Sequence, residues 1–292
     1  MADYGFVRYT DRREYDRSGK KTVSGYYEIL VTAQQNLRIG SGFSGTNPQS
    51  MKAEIMRSNG APVIPGSSLK GCVRSIAAAI SQSCLPKPAD NEQRSENQKI
   101  MASHTCKTGS RCIICDMFGM MGFASRVDFG DLKAPANTRI DVDSNVPVPF
   151  PPNARKDSYY DSEGSKGYKF YNTVNKPAVS ANGKPPAKYC VEAVPKGTVF
   201  TGRVYFHDLT EEQLSLLLFS LGCDGSFYPK LGGNRAHCYG SVSVQLGKTK
   251  HYIGETPSRK AAELAKAYPE EAPAACRESI RALRNILKKE NI

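Results

Sequence analysis

The stretch APVIPGSSLKGCVRSIAAAIS, residues 61–81, decides the fold because it predicts the first buried helix of the chain. A Pro-Gly turn comes first, and Ser67 is placed to cap the helix that follows. The apolar residues recur at helical spacing, at Leu69, Val73, Ile76 and Ile80. Cys84 and Pro86 are expected to close the helix. A buried helix that opens with glycine, hydroxyls and cations raises the question of which anion it meets.

The start of this helix is a candidate anion site. A helix N-terminus carries free amide groups and the positive end of the macrodipole, so Gly66, Ser67 and Ser68 can present donors to a phosphate. Lys70 and Arg74 lie four residues apart and add two cations on one face. The alternative is an ordinary capped helix whose two cations reach into solvent. The P-loop pattern G-x-x-x-x-G-K-[ST] is absent, so nucleotide hydrolysis is not inferred.

A second glycine-rich segment, KLGGNRAHCYG at 230–240, has similar chemistry. Gly232 and Gly233 allow a backbone to approach a phosphate closely, and Arg235 and His237 can contact phosphate, 2′-hydroxyl or base. A tight turn that uses glycine only for its geometry is the alternative. In a split βαβ sheet this loop and the start of the first helix would lie at related ends of the two helices.

The order of the predicted elements indicates the fold class. They are a strand at 26–39, the helix within 61–81, strands at 125–134 and 198–206, a leucine-rich helix opened by a Thr210–Gln213 capping box and stopped at Gly222, and a last strand through Val242 and Val244. The order βαββαβ is that of ferredoxin-like and RRM-like sheets. The sequence therefore predicts an α+β fold with a ferredoxin-like palm.

The chain is expected to form one domain, residues 1–292, with additions to this frame. They are an insertion at 84–124 that holds a cysteine cluster, an insertion at 135–195 rich in Pro, Tyr, Lys and Asn, and a helical tail at 255–292 with a helix near 274–289. Residues 40–60 and the polar stretch 86–99 are expected to be loops.

The cysteine cluster SHTCKTGSRCIICDMFG has the spacing of a metal site. Cys112 and Cys115 form a C-x-x-C turn that suits tetrahedral zinc, and Cys106 is the expected third ligand. His104 is the expected fourth ligand, and Cys84 is the alternative to it. A site closed by four protein ligands is structural rather than catalytic. A redox pair or free buried cysteines are the other interpretations.

Part of the second insertion alternates aromatic and basic residues. The segment KDSYYDSEGSKGYKFYNTVNKP carries Tyr159, Tyr160, Tyr168, Phe170 and Tyr171 among Lys156, Lys166 and Lys169. Aromatic rings can stack on bases while lysines follow the backbone of a single strand. An aromatic β-hairpin that packs on its own domain explains the same residues.

Charge and composition limit the function classes. Forty Lys and Arg residues against 28 Asp and Glu give a net charge of +12 and a pI near 9.2, which favours a polyanionic partner. Nine cysteines without a disulfide framework indicate a reducing cytoplasm. The N-terminus is too charged for a secretory signal, and the longest apolar run, 214–223, is too short to cross a bilayer. No membrane association is expected.

Taken together, four ordered motifs resemble the RAMP superfamily. They are IPGSSLKGCVRS, the cysteine cluster running into CDMFG, SRVDFGDL and GGNRAHCYGSV, and the resemblance covers residues 26–246. Within that superfamily the chain is most similar to the backbone-forming Cas seven-type subunits of type III CRISPR effectors, especially zinc-bearing ones such as those of type III-D. The resemblance implies an antiviral ribonucleoprotein filament with crRNA, complementary target RNA and other effector subunits as partners.

The resemblance also implies roles for particular residues. Gly66 to Arg74 and Gly232 to His237 would hold guide phosphates, a thumb hairpin within 146–190 would wedge into the guide–target duplex, and the tail would contact a neighbouring subunit. The RNA-binding candidates are Arg38, Gly66, Ser67, Ser68, Lys70, Arg74, Arg126, Lys169, Gly232, Gly233, Asn234, Arg235 and His237.

Nuclease activity is not expected from the first loop. Cleaving relatives carry an aspartate there that supports metal-dependent cutting, but residues 40–60 contain no aspartate, and the matching position falls near Ser50 or Met51. Glu54 is the only acid in the loop. The sequence therefore favours a scaffold that binds RNA without cutting it. The alternatives are a target-cleaving subunit that uses Glu54 and a divalent metal, a repeat-processing ribonuclease that uses His237, and a zinc-stabilised interaction protein.

Overall fold

Strands predominate over helices in this chain, and the predicted α+β class is confirmed. The computed structural model describes residues 4–44, 52–85, 106–148, 160–161, 164–165, 167–172 and 188–289. The strands are β1 (Tyr4–Val7), β2 (Thr22–Ala33), β3 (Gly40–Ser44), β4 (Lys52–Ile55), β5 (Arg57–Ser58), β6 (Ala61–Ile64), β7 (Val127–Phe129), β8 (Leu132–Lys133), β9 (Asp141–Pro147), β10 (Tyr160–Asp161), β11 (Gly164–Ser165), β12 (Tyr168–Tyr171), β13 (Lys188–Ala193), β14 (Val199–Thr210) and β15 (Val242–Ile253). The helices are α1 (Gly66–Ala79), α2 (Ile113–Phe118), α3 (Glu211–Ser220), α4 (Ala261–Glu271) and α5 (Ala274–Ile286), and Arg235–His237 form a 3-10 turn.

The main sheet has the order β15-β2-β14-β8-β6-β5, and β7 also pairs with β14. β2 runs antiparallel to both of its neighbours, and β14 runs antiparallel to β7. Every second side chain of β2 is buried, so one face of the sheet packs on the core. With α1 after β2 and α3 after β14, the sheet is consistent with the palm expected from the sequence. The strand predicted at 26–39 is β2, which begins earlier, at Thr22, and ends earlier, at Ala33. The strand predicted at 125–134 is divided into β7 and β8.

α1 differs from the sequence prediction at both of its ends. Pro65 occupies the N-cap position and no side chain caps the helix, so the predicted cap at Ser67 is wrong. The helix ends at Ala79, before the expected Cys84. The hydroxyls of Ser81 and Ser83 donate to carbonyls of the last helical turn at 2.7 and 2.9 Å, which stabilises this earlier end.

α3 forms as predicted, with the Thr210–Gln213 capping box in place and Gly222 at φ +76° after its end. Leu214, Leu217, Leu218 and Leu221 share one face of the helix and are buried, and Leu216, which lies outside that face, is buried as well. The reason is that the tail also packs on this helix: the Ser215 hydroxyl donates to the Leu264 carbonyl at 2.6 Å. The tail forms two helices, and the apolar side chains on one side of them are buried in the chain's own core.

A second sheet, of order β3-β4-β13-β9, joins two parts of the chain that are distant in sequence. Residues 40–60 therefore contain strands β3, β4 and β5, and the prediction of a loop there is wrong outside 45–51, which lie beyond the described residues. Glu192 is buried between these strands and accepts from Lys52 and Arg57, each at 2.7 Å. The Glu192 ion pairs therefore link β13 of the second insertion to β4 and β5.

The aromatic part of the second insertion pairs with the N-terminus. β12 is antiparallel to β1, with Tyr171 opposite Tyr4 and Tyr168 opposite Val7. Phe170 and Tyr168 pack against the main core, so this part of the segment packs on its own domain instead of forming a projecting thumb. Tyr159, Lys156 and Lys166 lie outside the described residues, as does the stretch 86–99. In the described part of the chain, no helix is long and apolar enough to span a bilayer.

Candidate nucleic-acid interface and metal centre

One pocket of about 440 Å³ brings together the two segments that the sequence analysis singled out. α1 contributes Ser68, Gly71 and Ser75 to its lining, and the glycine loop, residues 230–240, contributes Lys230, Leu231, Gly232 and Arg235. The two segments also touch directly, since the Cys72 thiol lies 3.4 Å from the Lys230 carbonyl oxygen. A single bound strand can therefore reach both segments.

At the start of α1, one of the backbone amides predicted to bind phosphate already has a hydrogen-bond partner within the chain. The Gly66 amide, expected to face a phosphate, donates to Asp131 Oδ1 at 2.8 Å, and an added Cβ at Gly66 would lie 1.9 Å from the Phe129 carbonyl oxygen. Gly66 is therefore required for close packing against the end of β7. Ser67 is exposed and Ser68 half-buried, so these two residues keep accessible donors.

Lys70 and Arg74 do not line the pocket with the glycine loop. Lys70 Nζ donates to Ser125 Oγ at 2.8 Å and lies 3.4 Å from Asp128 Oδ1. At 3.6 residues per turn, positions 70 and 74 point to a different face of α1 from positions 68, 71 and 75. The cations at the pocket are instead Lys230 and Arg235.

The glycine loop wraps around the backbone of Arg38. Gly232 has φ +82°, and a Cβ there would lie 2.2 Å from the Arg38 carbonyl oxygen. The Gly233 amide donates to that same oxygen at 2.8 Å. Glycine is therefore required at 232, and the contact brings the predicted RNA-binding residue Arg38 beside the loop. His237 lies in the 3-10 turn at the end of the loop and is half-buried.

Two buried donors at this loop have no hydrogen-bond acceptor among the described residues, Arg38 Nε and Asn234 Nδ2. Asn234 adopts the left-handed conformation, and the Tyr189 hydroxyl donates to its Oδ1 at 2.6 Å. This bond from β13 orients the amide so that its NH₂ group remains the free donor. A buried donor without an acceptor costs about 1–3 kcal/mol, so an anion bound here would be stabilised by both groups.

Lys230 was not predicted as a binding residue, although it opens the same KLGGNRAHCYG segment as Gly232 and Gly233. The residue is 5 % exposed, and its Nζ donates to the Arg235 carbonyl oxygen at 3.0 Å. Burial, and then the nearby Arg235 charge, lower the pKa of Lys230 to about 8. The sequence shows only a lysine two positions before a glycine pair, with no sign that it is buried.

Lys169 belongs to an aromatic group at the rim of the pocket. Its Nζ lies 4.0 Å from the ring centre of Tyr4 and 4.8 Å from that of Tyr171. Arg235 Cζ approaches the same Tyr171 ring to 5.6 Å. Tyr171 and Phe170 both line the pocket, so the aromatic segment and the glycine loop meet there.

Arg126 has a different environment from the other RNA-binding candidates. Its Nε lies 3.5 Å from Asp116 Oδ2, and its guanidinium also pairs with Asp208. Asp116 is 2 % exposed and is also bound by Arg17 at 2.7 Å and Gln213 at 2.8 Å. These contacts give Arg126 a structural role, and we do not include it in the interface.

Four cysteines form the candidate metal centre. The Sγ atoms of Cys84, Cys106, Cys112 and Cys115 all lie within 4.8 Å of one another. Cys106, Cys112 and Cys115 are buried, and Cys84 is half-buried at the segment after α1. Cys84 therefore takes the fourth position that the sequence left open between it and His104, and His104 lies outside the described residues.

The surroundings of the cluster fit a metal bound by thiolates. Tetrahedral coordination at about 2.3 Å places sulfur atoms roughly 3.8 Å apart, and the Cys84 and Cys115 sulfurs lie 3.4 Å apart. The amides of Cys112 and Cys84 donate to the sulfurs of Cys106 and Cys112 at 3.2 and 3.4 Å. Arg12 Nε, which sequence reasoning missed, also donates to the Cys106 sulfur at 3.2 Å. Such donors favour the charged thiolate, so the four cysteines can hold a metal ion.

Glu54 lies on β4 and is half-buried, not in a loop as expected. In the part of the chain that the structure describes, the four-cysteine cluster is the only group of three or more His, Cys, Asp or Glu residues placed to hold a metal. Glu54 therefore has no described partner for a divalent cation. Ser50 and Met51, near the expected catalytic position, lie outside the described residues.

The mixed α+β fold is consistent with a palm-like domain of the kind found in RNA-binding proteins. The family model of the RAMP superfamily matches residues 31–243, and the chain belongs to that superfamily. Its members typically bind RNA and work in complexes, and membership is compatible with a CRISPR-associated RNA-binding role. A comparison with curated proteins found no match to this chain.

Proposed function

We propose that this chain is a guide RNA-binding backbone subunit of a type III CRISPR effector complex. The observation that carries the proposal is the shared pocket of α1 and the glycine loop in a RAMP superfamily chain of net charge +12. Its partners would be crRNA, complementary target RNA and the other effector subunits, assembled in the cytoplasm for antiviral defence.

The proposed architecture is a single domain with a ferredoxin-like palm. The strand order β15-β2-β14-β7 supports it, because the split βαβ fold places its fourth, first, third and second strands in that order. The insertion at 84–124 would be a zinc-stabilised element, the residues of 135–195 between β9 and β13 other than β12 would supply the thumb, and 255–292 would pack against the palm.

The backbone phosphates would be held by groups that have donors available at the pocket and its rim. Ser68, Lys230 and Arg235 line the pocket, and Arg38 and Asn234 have buried donors without acceptors at the adjoining glycine loop. Lys70 and Arg74 would act from the neighbouring face of α1. Because phosphate contacts position a strand without reading it, binding is expected to be largely independent of sequence.

A titration with single-stranded RNA at several salt concentrations tests this function. We expect tight binding at low salt, and each phosphate contact removed should make the plot of log K against log salt shallower by about 0.7. The test variant is Arg38→Met with Arg235→Met. The matched control is Arg203→Met, an exposed arginine of β14 paired with Glu28 at 2.8 Å. If RNA does not bind at low salt, or if the test and control variants bind alike, the proposal is wrong.

The subunit is proposed to bind RNA without cutting it. The assembled complex, incubated with complementary target RNA and Mg²⁺, should give the same cleavage pattern with Glu54→Ala as with the wild type. Cuts that disappear at this subunit's position in the Glu54→Ala complex would make the chain a ribonuclease.

We further propose that the four cysteines hold one structural zinc ion. Thiolate ligands and a closed four-ligand site favour zinc over hard cations such as Mg²⁺. A bound zinc ion would tie the segment after α1 to the start of α2. Its contribution would be to folding stability.

A further inference from the structure

We propose that the pocket between α1 and the glycine loop holds one whole nucleotide of the bound strand, with the phosphate at Lys230 and Arg235 and the base against Tyr171. The inference rests on the proposed RNA-binding function and goes beyond it, because a backbone track needs only phosphate contacts. This pocket also supplies an aromatic surface.

The phosphate position follows from Lys230. An ammonium group has three N–H donors, and the hydrogen bonds among the described residues use one of them, to the Arg235 carbonyl. The residue lines the pocket while only 5 % exposed, so its charge has lost most of its hydration. A poorly hydrated cation gains more than an exposed one from an anionic partner. Arg235, exposed at the mouth of the pocket, adds a second cation.

The base position follows from Tyr171. This half-buried ring lies on the β12 side of the pocket and is held by an edge contact with Tyr4, whose ring centre is 6.5 Å away. The cations of Lys169 and Arg235 lie 4.8 and 5.6 Å from the ring centre. Both cations lie over the ring, so a base that stacks on Tyr171 would displace one of them, and the displaced cation would bind the phosphate joined to that base.

The size and polarity of the pocket fit a nucleotide. Its volume of about 440 Å³ lies within the usual range of small-molecule pockets, roughly 300–1,000 Å³. α1 presents mostly small side chains there, at Ser68, Gly71, Cys72 and Ser75 beside Ile76, and its two hydroxyl groups are available to a sugar. A larger side chain at Gly71 would project into the space between α1 and the loop.

The test compares two chains of equal length, oligoadenylate and a ribose-phosphate oligomer that lacks bases. Loss of one stacked base costs about 1–3 kcal/mol, so Tyr171→Leu should bind oligoadenylate about 5- to 150-fold more weakly than the wild type does. The same variant should bind the base-free chain as the wild type does. Tyr171→Phe keeps the ring and should bind both chains normally, as should the control Tyr205→Leu, an exposed tyrosine of β14.

Lys230→Met tests the phosphate. It should weaken binding of both chains by the same factor and make the salt dependence shallower by about 0.7. Thermal denaturation of each variant shows that it is folded. If Tyr171→Leu weakens binding of both chains equally, or of neither, the nucleotide pocket is refuted while RNA binding stands. Wild-type protein that binds neither chain at low salt would refute the pocket and the proposed function together.

Discussion

Replacement of Asp116 by asparagine is expected to be among the most destabilising single changes in the chain. Asp116 is 2 % exposed, and its carboxylate oxygens form ion pairs with guanidinium nitrogens of Arg17 at 2.7 Å, Arg111 at 3.1 Å and Arg126 at 3.5 Å. Asp116→Asn keeps the shape but removes the charge, which leaves three guanidinium groups close together in a poorly hydrated site. Breaking a buried ion pair from one side costs about 3–5 kcal/mol.

This loss is measurable by urea and thermal denaturation. At roughly 2 °C per kcal/mol for a chain of this length, the melting temperature should fall by about 6–10 °C. The control is Glu271→Gln, which removes a surface partner of Arg259 at 2.5 Å and should cost at most about 1 kcal/mol. The double variant Asp116→Asn with Arg111→Gln should recover part of the loss, because it removes one of the uncompensated charges. The reasoning is refuted if Asp116→Asn costs no more than the control, or if the double variant is less stable than Asp116→Asn.

Three further predictions concern the metal centre, the second sheet and the pocket. Purified protein should contain about one zinc ion per chain by metal analysis, and Cys112→Ser should lower both metal content and melting temperature, whereas Cys190→Ser, a half-buried thiol of β13, should change neither. Burial alone would raise the pKa of Glu192, but hydrogen bonds from its two basic partners outweigh it and hold the pKa below its usual value. The contribution of Glu192 to stability is therefore complete above about pH 4.5 and is lost as pH falls through the folded pKa. In Glu192→Gln, the free energy of unfolding in urea should fall less steeply at acid pH than in the wild type. In the protein without RNA the pKa of Lys230 is about 8, and a bound phosphate should raise it. Because the charged form binds the phosphate, affinity for the base-free chain should fall as pH rises above about 8. Lys230→Arg should remove this pH dependence of affinity. If the affinity of Lys230→Arg varies with pH as the wild type's does, Lys230 is not part of the site. The charged or titratable neighbours of Lys230 are Arg235 and Cys238.

The elements that sequence predicted well depend on local signals. α3 was found from its capping box and leucine spacing, and both features involve residues within one or two helical turns of each other. The C-x-x-C turn at Cys112 and Cys115 was found in the same way. In each case the partners are close in the chain, so their spacing determines their geometry.

The features that sequence did not predict depend on contacts between distant residues. The Asp131 carboxylate accepts a hydrogen bond from the Gly66 amide, 65 positions away, and no local sequence pattern identifies Asp131 as this partner. β4 became a strand because β13 pairs with it, and such pairing overrides the glycine and asparagine content of the surrounding segment. Which face of α1 meets the glycine loop depends on how the helix docks, so the sequence could not show that Lys70 and Arg74 lie outside the pocket that the two segments share.

The bond between Tyr189 and Asn234 has a consequence for the polarity of the glycine loop. A side-chain amide turned by 180° exchanges its oxygen for its NH₂ group, with almost no change of shape. In this structure the Tyr189 hydroxyl donates to Asn234 Oδ1 at 2.6 Å, so the amide turns its oxygen toward the second sheet and its NH₂ group away from it. The orientation of a buried donor in the glycine loop is therefore linked to the position of a phenol in the second sheet.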